Sequence, residues 1–241
     1  MGIDAVPCRA CGAGGLHQVL VRGELTVVLC EDCGLVQLPV HPGEGTVIGT
    51  PACHPGIRAR SEHVTQAVRT ADAADLLRGD AVRQFGGTHG GSWLPLLMQL
   101  GFTPVYAGTA DVVVDCFGAM HDRDQRAAIA QLAAATAPEG VLLMQFESVA
   151  DMVRKAHWEL LSHNHFAYYT LTALSAMLAA VQMSVVAAYP LEVHGGTTMV
   201  AAVHARGWPA TAEVKRKLAD EHQLKIASPA GVRDLLRAAE R

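Results

Sequence analysis

The chain has 241 residues, half of them hydrophobic and only 17% charged, with a formal net charge of −4. That balance excludes the basic footprint of a nucleic-acid or anionic-membrane binder and points to a small-molecule partner. No apolar run reaches the roughly 18–20 residues that span a bilayer, and the start MGIDAVPCRACG has no basic stretch followed by an apolar one, so a cytoplasmic protein is expected.

The length suits one ordinary domain with a small accessory module, and residues 1–40 read as that module. Cys8-Arg9-Ala10-Cys11 and Cys30-Glu31-Asp32-Cys33 are each followed by a glycine, Gly12 and Gly34. Two residues between thiols let a tight turn aim both sulfurs at one ion, and the glycine relieves the backbone where φ must be positive. The stretch between the pairs reads as two short strands with a turn at Arg22-Gly23. Four thiolates leave no open coordination position, which predicts a structural zinc ion that contributes to folding rather than to catalysis. A redox dithiol expects one Cys-x-x-Cys opening a helix after a strand, which neither pair does. Cys53 and Cys116 have no such partners and read as small buried side chains.

Residues 41–78 read as a connector and helix: Leu38 to Arg60 is dense in Pro and Gly, and a helix is expected from about Ser61 to Arg78. Residues 79–206 read as an α/β body. Asp80 to Phe85 is a short strand ending in Gly86-Gly87-Thr88-His89-Gly90-Gly91, with a helix from Ser92 to Leu100 behind it. Such a loop offers free N–H groups to a phosphate or carboxylate, or else simply lets strand and helix pack closely. Thr103 to Tyr106 is a brief strand, and Ala110 to Phe117 and Gly140 to Glu147 are buried strands of a parallel sheet, flanking an alanine-rich helix from His121 to Ala137. A helix from Thr170 to Val181 precedes two strands, Met183 to Val193 and Thr197 to Ala205, joined at His194-Gly195-Gly196 as an antiparallel hairpin. Residues 207–241 carry two charged helices, Ala210 to Gln223 and Pro229 to Arg241, which suit a solvated tail or a homodimer contact.

The cysteine module running on into Gly34-Leu-Val-Gln-Leu38, with SHNHFAYYTLTAL over 162–174 and His194-Gly195-Gly196, resembles the zinc-containing S-adenosylmethionine-dependent C-methyltransferases that methylate deoxysugars in antibiotic pathways. The resemblance covers residues 8–38 and about 110–206. It implies a zinc-ribbon-like module followed by a reduced Rossmann-like methyltransferase sheet with a C-terminal antiparallel hairpin. It also implies a methyl donor on the glycine loop, with Gln84, Gly86, Gly87 and Gly90 as cofactor-binding positions. His165 is implied as the base on carbon beside a ketone. A neutral imidazole titrates near pH 6.5 and can take a proton α to a carbonyl. His163, Asn164 and His194 are its implied companions, Asn164 holding a tautomer and His194 orienting substrate or acting as a second acid/base group.

The chain departs from that family in stated places. Ser162-His163-Asn164-His165 lacks the glutamate and tyrosine that accompany the family's histidines, which weakens the base. Gln84 stands where the first strand carries an acidic residue, and Tyr106-Ala107-Gly108 stands where the second ends in a carboxylate. Only a few residues run from Tyr106 to Ala110, whereas a parallel crossover needs about a dozen, so one strand and helix are missing. Glu147, at the carboxyl end of a central strand, together with His121 and Tyr168, is expected to border the substrate cleft; Asp115 has a smaller claim. Three functions stay open: a C-methyltransferase acting on a polyketide or sugar-like scaffold, a cyclase, isomerase or lyase on the same fold without donor binding, and a non-catalytic pathway partner.

Overall fold

The computed structural model describes residues 6–22, 25–39, 57–87, 91–155, 165–191, 197–204 and 209–239. Two sheets organise them. The first follows from the cysteine pairs: β1 (Leu16–Arg22) and β2 (Leu25–Cys30) pair antiparallel from Leu16↔Cys30 to Arg22↔Leu25. A third strand, β3 (Val36–Gln37), starts three residues after Cys33 and pairs with β2.

The body begins with α1 (Ile57–Ala73). It starts earlier and stops earlier than the expected Ser61 to Arg78. Its buried Val64, Ala67, Val68 and Ala71 fall on one stripe at helical spacing and pack on the sheet against Val112, Val114 and Leu143, so it is part of the body's core. Next come β4 (Ala81–Gly86), α2 (Leu94–Gln99), β5 (Thr103–Pro104), β6 (Ala110–Cys116) and a 3₁₀ turn over Ala119–His121. The alanine-rich helix α3 spans Gln125–Ala135, not His121 to Ala137. Asp124 sets its start, since its side chain accepts from the Ala127 amide at 2.9 Å. β7 (Thr136–Glu147) therefore begins before Pro138 and Gly140, and its pairing with β6 shifts register between Ala110 and Val112.

After α4 (Val149–Lys155) come β8 (Ala167–Tyr168), α5 (Leu171–Ala180), β9 (Ser184–Leu191) and β10 (Thr197–Val203). The large sheet has the order β5-β4-β6-β7-β10-β9. β5, β4, β6 and β7 are parallel, and β10 lies antiparallel between β7 and β9. The hairpin residues 194–196 lie outside the described residues. The small sheet does not stop at the module: its order is β1-β2-β3-β8, with Val36↔Tyr168 and Gln37↔Ala167 joining module to body. One apolar cluster runs accordingly from Val27, Leu29 and Leu35 to Met120, Phe146 and Leu174.

The short return from β5 to β6 is accommodated at one edge of the sheet. β5 pairs only with the start of β4, as Ala81↔Thr103 and Val82↔Pro104, so the chain never climbs to the carboxyl edge before turning back to Ala110. A crossover helix is then unnecessary.

The terminal helices α6 (Ala212–Gln223) and α7 (Pro229–Ala239) are anchored to this body. Glu221 of α6 is buried, and its carboxylate accepts from the amides of Leu171 and Thr172 at 2.7 and 2.8 Å and from the Thr172 hydroxyl at 2.7 Å, satisfying the first turn of α5. Arg154 of α4 pairs with Asp220 at 3.3 Å beside it. Replacing Glu221 by Ala strands one buried and one part-buried amide and is expected to lower stability by about 2–4 kcal/mol, a fall of roughly 5–12 °C in thermal unfolding. A fall of less than about 1 °C would mean that water replaces the carboxylate at no cost.

Candidate functional site

Parallel strands that end together leave a crevice at their carboxyl edge. Here a cavity of about 420 Å³ opens at the ends of β4 and β6, within the size range of small-ligand sites. Gly86 and Gly87 line one side, Asp115, Phe117 and His121 the other. The glycines are needed for the backbone itself. Gly86 has φ of 68°, and a Cβ there would meet the Cys116 carbonyl at 2.7 Å and the Gly118 Cα at 2.8 Å. Phe117, at φ 61°, is a bulky residue in the left-handed region beside the same cavity.

Gln84 does not reach into the cavity to offer a charge. Its Oε1 accepts from the Trp93 amide at 2.8 Å and from the Ser92 hydroxyl at 3.2 Å, so it ties the glycine loop to the start of α2. At the helix start, α2 begins at Leu94 and the Trp93 amide is already taken. Gly90 lies outside the described residues.

The turn after β6 is set by Asp115. Its carboxyl accepts from the Gly118 amide at 3.1 Å and the Ala119 amide at 3.2 Å, which folds the chain so that His121 faces the cavity. Complete burial pushes the Asp115 carboxyl up to about 7, against the lowering effect of those two amides.

His165 is held against this turn from three directions. The Phe166 amide donates to the Met120 carbonyl at 2.8 Å, β8 pairs with β3, and Tyr169 bridges Ser148 at the end of β7 while its carbonyl accepts from the Val149 amide at 3.0 Å. The His165 ring consequently meets His121 edge to face, with centroids 4.5 Å apart, and Tyr168 at 5.5 Å. Its Nδ1 lies 3.9 Å from Oε2 of Glu147, and both side chains are largely buried. Burial pushes the Glu147 carboxyl up to about 8.

Four sequence-selected residues, His165, His121, Glu147 and Tyr168, thus share one place, whereas His163, Asn164 and His194 lie outside the described residues. Across the fold, Glu147 brings a carboxyl group within 3.9 Å of His165. Two further polar residues escaped the sequence reading. His63 of α1 is fully buried, its Nε2 lies 3.1 Å from Nε2 of Gln145 on β7, and its ring lies 5.7 Å from Phe117. The available signal was a histidine on the apolar stripe of α1, four residues before Ala67.

A second cluster lies in the module. The sulfurs of Cys8 and Cys33 are 3.5 Å apart, those of Cys11 and Cys30 3.6 Å, and all four lie within 4.8 Å of one another. Sulfurs around a tetrahedral zinc ion with bonds of about 2.3 Å sit about 3.8 Å apart, so the donor set and its spacing fit that ion. The two turns are built alike: Gly12 donates to the Cys8 carbonyl at 2.8 Å and Gly34 to the Cys30 carbonyl at 2.9 Å, both glycines at positive φ.

No family model matches the chain. The C-methyltransferase NovU of Streptomyces niveus is 27% identical over 130 residues, which cover 52% of this chain and 30% of that protein. The matched stretch thus spans less than a third of that curated relative. Among solved structures, the mitomycin 7-O-methyltransferase MmcR superposes with a TM-score of 0.46 at 16% identity, over 60% of this chain and 55% of its own. The CcbJ methyltransferase of Streptomyces caelestis gives 0.45 at 11% identity, over 66% of this chain and all (100%) of its own. Among the described residues, no helix is long and apolar enough to cross a membrane.

Because burial raises both carboxyls, the folded chain retains protons that the unfolded chain has released between the ordinary carboxylate range and about pH 8. Stability therefore falls as pH rises through that window. Glu147→Gln is expected to flatten the fall, by up to about 1.4 kcal/mol per pH unit where it is steepest, in melts taken from pH 5 to 8. Parallel curves for the two proteins would remove Glu147 from this linkage.

Proposed function

We propose that this chain is a methyltransferase-like tailoring enzyme of natural-product biosynthesis that acts on a small keto substrate, with His165 as its general base and a structural zinc ion in its N-terminal module. The observation that carries the reading is the largely buried His165 imidazole seated between Glu147 and His121, of which His121 lines the cavity. The similarity to a C-methyltransferase of Streptomyces niveus and the motif resemblance of residues 8–38 and 162–174 support the same class.

S-adenosylmethionine, when bound, supplies an electrophilic methyl group on a sulfonium. Gly86 and Gly87 would border it at the end of β4, and Asp115 and His121 at the end of β6. His165 takes the proton from the carbon beside the ketone, leaving an enolate, and so becomes an imidazolium. The Glu147 carboxyl, pushed up to about 8 by burial, has its Oε2 3.9 Å from the His165 Nδ1, where its ionised form would offset that charge. His121 faces both the cavity and the His165 ring, which places it to orient the substrate carbonyl. Fully buried Tyr168 backs the His165 ring.

One observation favours a second reading. β5 ends at Pro104, level with the first half of β4, so the strand brings no side chain of its own to the carboxyl edge where a donor would lie. An acid/base enzyme without donor binding, such as a cyclase, isomerase or lyase, uses the same His165–Glu147 pair.

Thermal-shift titration separates the two, because a ligand that binds only the folded chain stabilises it by mass action. S-adenosylmethionine or its demethylated product is expected to raise Tm at sub-millimolar concentration; no shift at several millimolar would leave only the second reading. His165→Gln is expected to keep that shift and lose at least about a hundredfold in turnover of the keto substrate, the range of general-base catalysis. Unchanged turnover would remove His165 from the chemistry.

For the metal, the purified chain is expected to carry one zinc per molecule by elemental analysis, Cys11→Ser to lose it, and a strong chelator to lower Tm, since binding energy at such a site is folding energy. Zinc-free protein with an unchanged melt would rule the site out.

A further inference from the structure

One side chain of the module meets the two segments that carry His121 and His165, and the proposed chemistry does not use it. Arg9 lies between Cys8 and Cys11 in the first cysteine turn. Its backbone amide donates to Oε1 of Gln37 on β3 at 2.9 Å. Its guanidinium donates through Nη1 to the Arg123 carbonyl at 3.1 Å and lies 5.0 Å over the ring of Phe166. Arg123 approaches the same ring, 5.7 Å from its centroid. Arg123 is two residues beyond His121, and Phe166 directly follows His165. One side chain therefore grips both segments that carry the paired imidazoles.

The contacts are unlike those of an ordinary surface arginine. Among the described residues no carboxylate pairs with Arg9; what it meets is a carbonyl and an aromatic face. A planar guanidinium donates in its plane and stacks on its face at once, which the compact ammonium of lysine does not do.

We propose that Arg9 is a positioning residue: it sets the separation and angle of the His121 and His165 rings by clamping the Arg123 carbonyl and the Phe166 ring to the cysteine module. The consequence for activity rests on His165 and His121 being the working pair; the geometric claim does not. Small misplacements of a reacting group carry large rate penalties.

The test compares Arg9→Met, which keeps the stem and removes the cation, with Arg9→Lys, which keeps the cation and loses the fork, and uses Arg123→Ala as a control that leaves the 123 carbonyl in place. Imidazole resonances are assigned with His121→Gln and His165→Gln and followed by NMR across pH, alongside zinc content and turnover. In Arg9→Met, the zinc stoichiometry is expected to hold, the ring-to-ring contact signal between His121 and His165 to weaken, and kcat to fall about tenfold or more with the donor KM unchanged. Arg9→Lys should restore folding without restoring the ring signals, and it carries the test if Arg9→Met does not fold. Imidazole spectra and titrations identical to wild type in both Arg9 variants overturn the proposal. Perturbed rings with turnover unaffected by His165→Gln would keep Arg9 as the clamp and dismiss the catalytic reading instead.

Discussion

The structure depends on a ladder only two residues long, the pairing of Val36 and Gln37 with Tyr168 and Ala167. A two-residue strand has no stability of its own. β8 exists because β3 lies beside it, and β3 is placed because it follows the second cysteine turn, where Gly34 at positive φ redirects the chain into the small sheet. His165 lies two residues before β8, so its location depends on the module as well as on the turn after β6 and the end of β7.

That dependence explains why an accessory module of about 40 residues belongs to the same apolar cluster as the body. A module docked only by surface contacts would move relative to the crevice on slow timescales. Here backbone hydrogen bonds and the Arg9 guanidinium cross the junction onto the 119–123 turn and the 165–169 segment, and continuous packing crosses it as well. The turn is held in addition from within, by Asp115 below and by Gln125 of α3, whose Nε2 donates to the Ala119 and Asp122 carbonyls, both at 2.7 Å.

The electrostatics of the crevice follow from what surrounds it. Two carboxyls, Asp115 and Glu147, stand at the ends of neighbouring strands in apolar surroundings, and both are raised by burial toward neutral pH. Groups that titrate near working pH suit proton transfer, and pKa values perturbed by burial cluster at functional sites. The same crevice is spare on the β5 side, where the strand stops short of the carboxyl edge. The fold invests its polar groups on the His121, Glu147 and His165 side.

Much of this was legible from local pattern. The two Cys-x-x-Cys-Gly turns, the strand and glycine loop at 81–87, the buried strands around Val113 and Leu143 and the amphipathic terminal helices follow from spacing and periodicity, which act over a few residues and need no partner to be read. The missing crossover near Tyr106 was legible too, since chain length alone forbids it. Other features were not. β3 and β8 are too short to carry a period, the start of α3 was set by an Asp124 cap inside an alanine-rich run, and Arg9 looks like any polar residue within a cysteine turn. Glu147 and His165 are 18 residues apart in sequence, and His63 and Gln145 are 82 apart. Side chains at such separations meet only when the sheet order and the helix faces are decided together, by burying one continuous core. The residue types and the local elements were therefore determined by the sequence itself, whereas which carboxylate faces which imidazole was decided by tertiary packing, because no local interaction distinguishes Glu147 from any other carboxylate until β7, β8 and the cysteine module close around it.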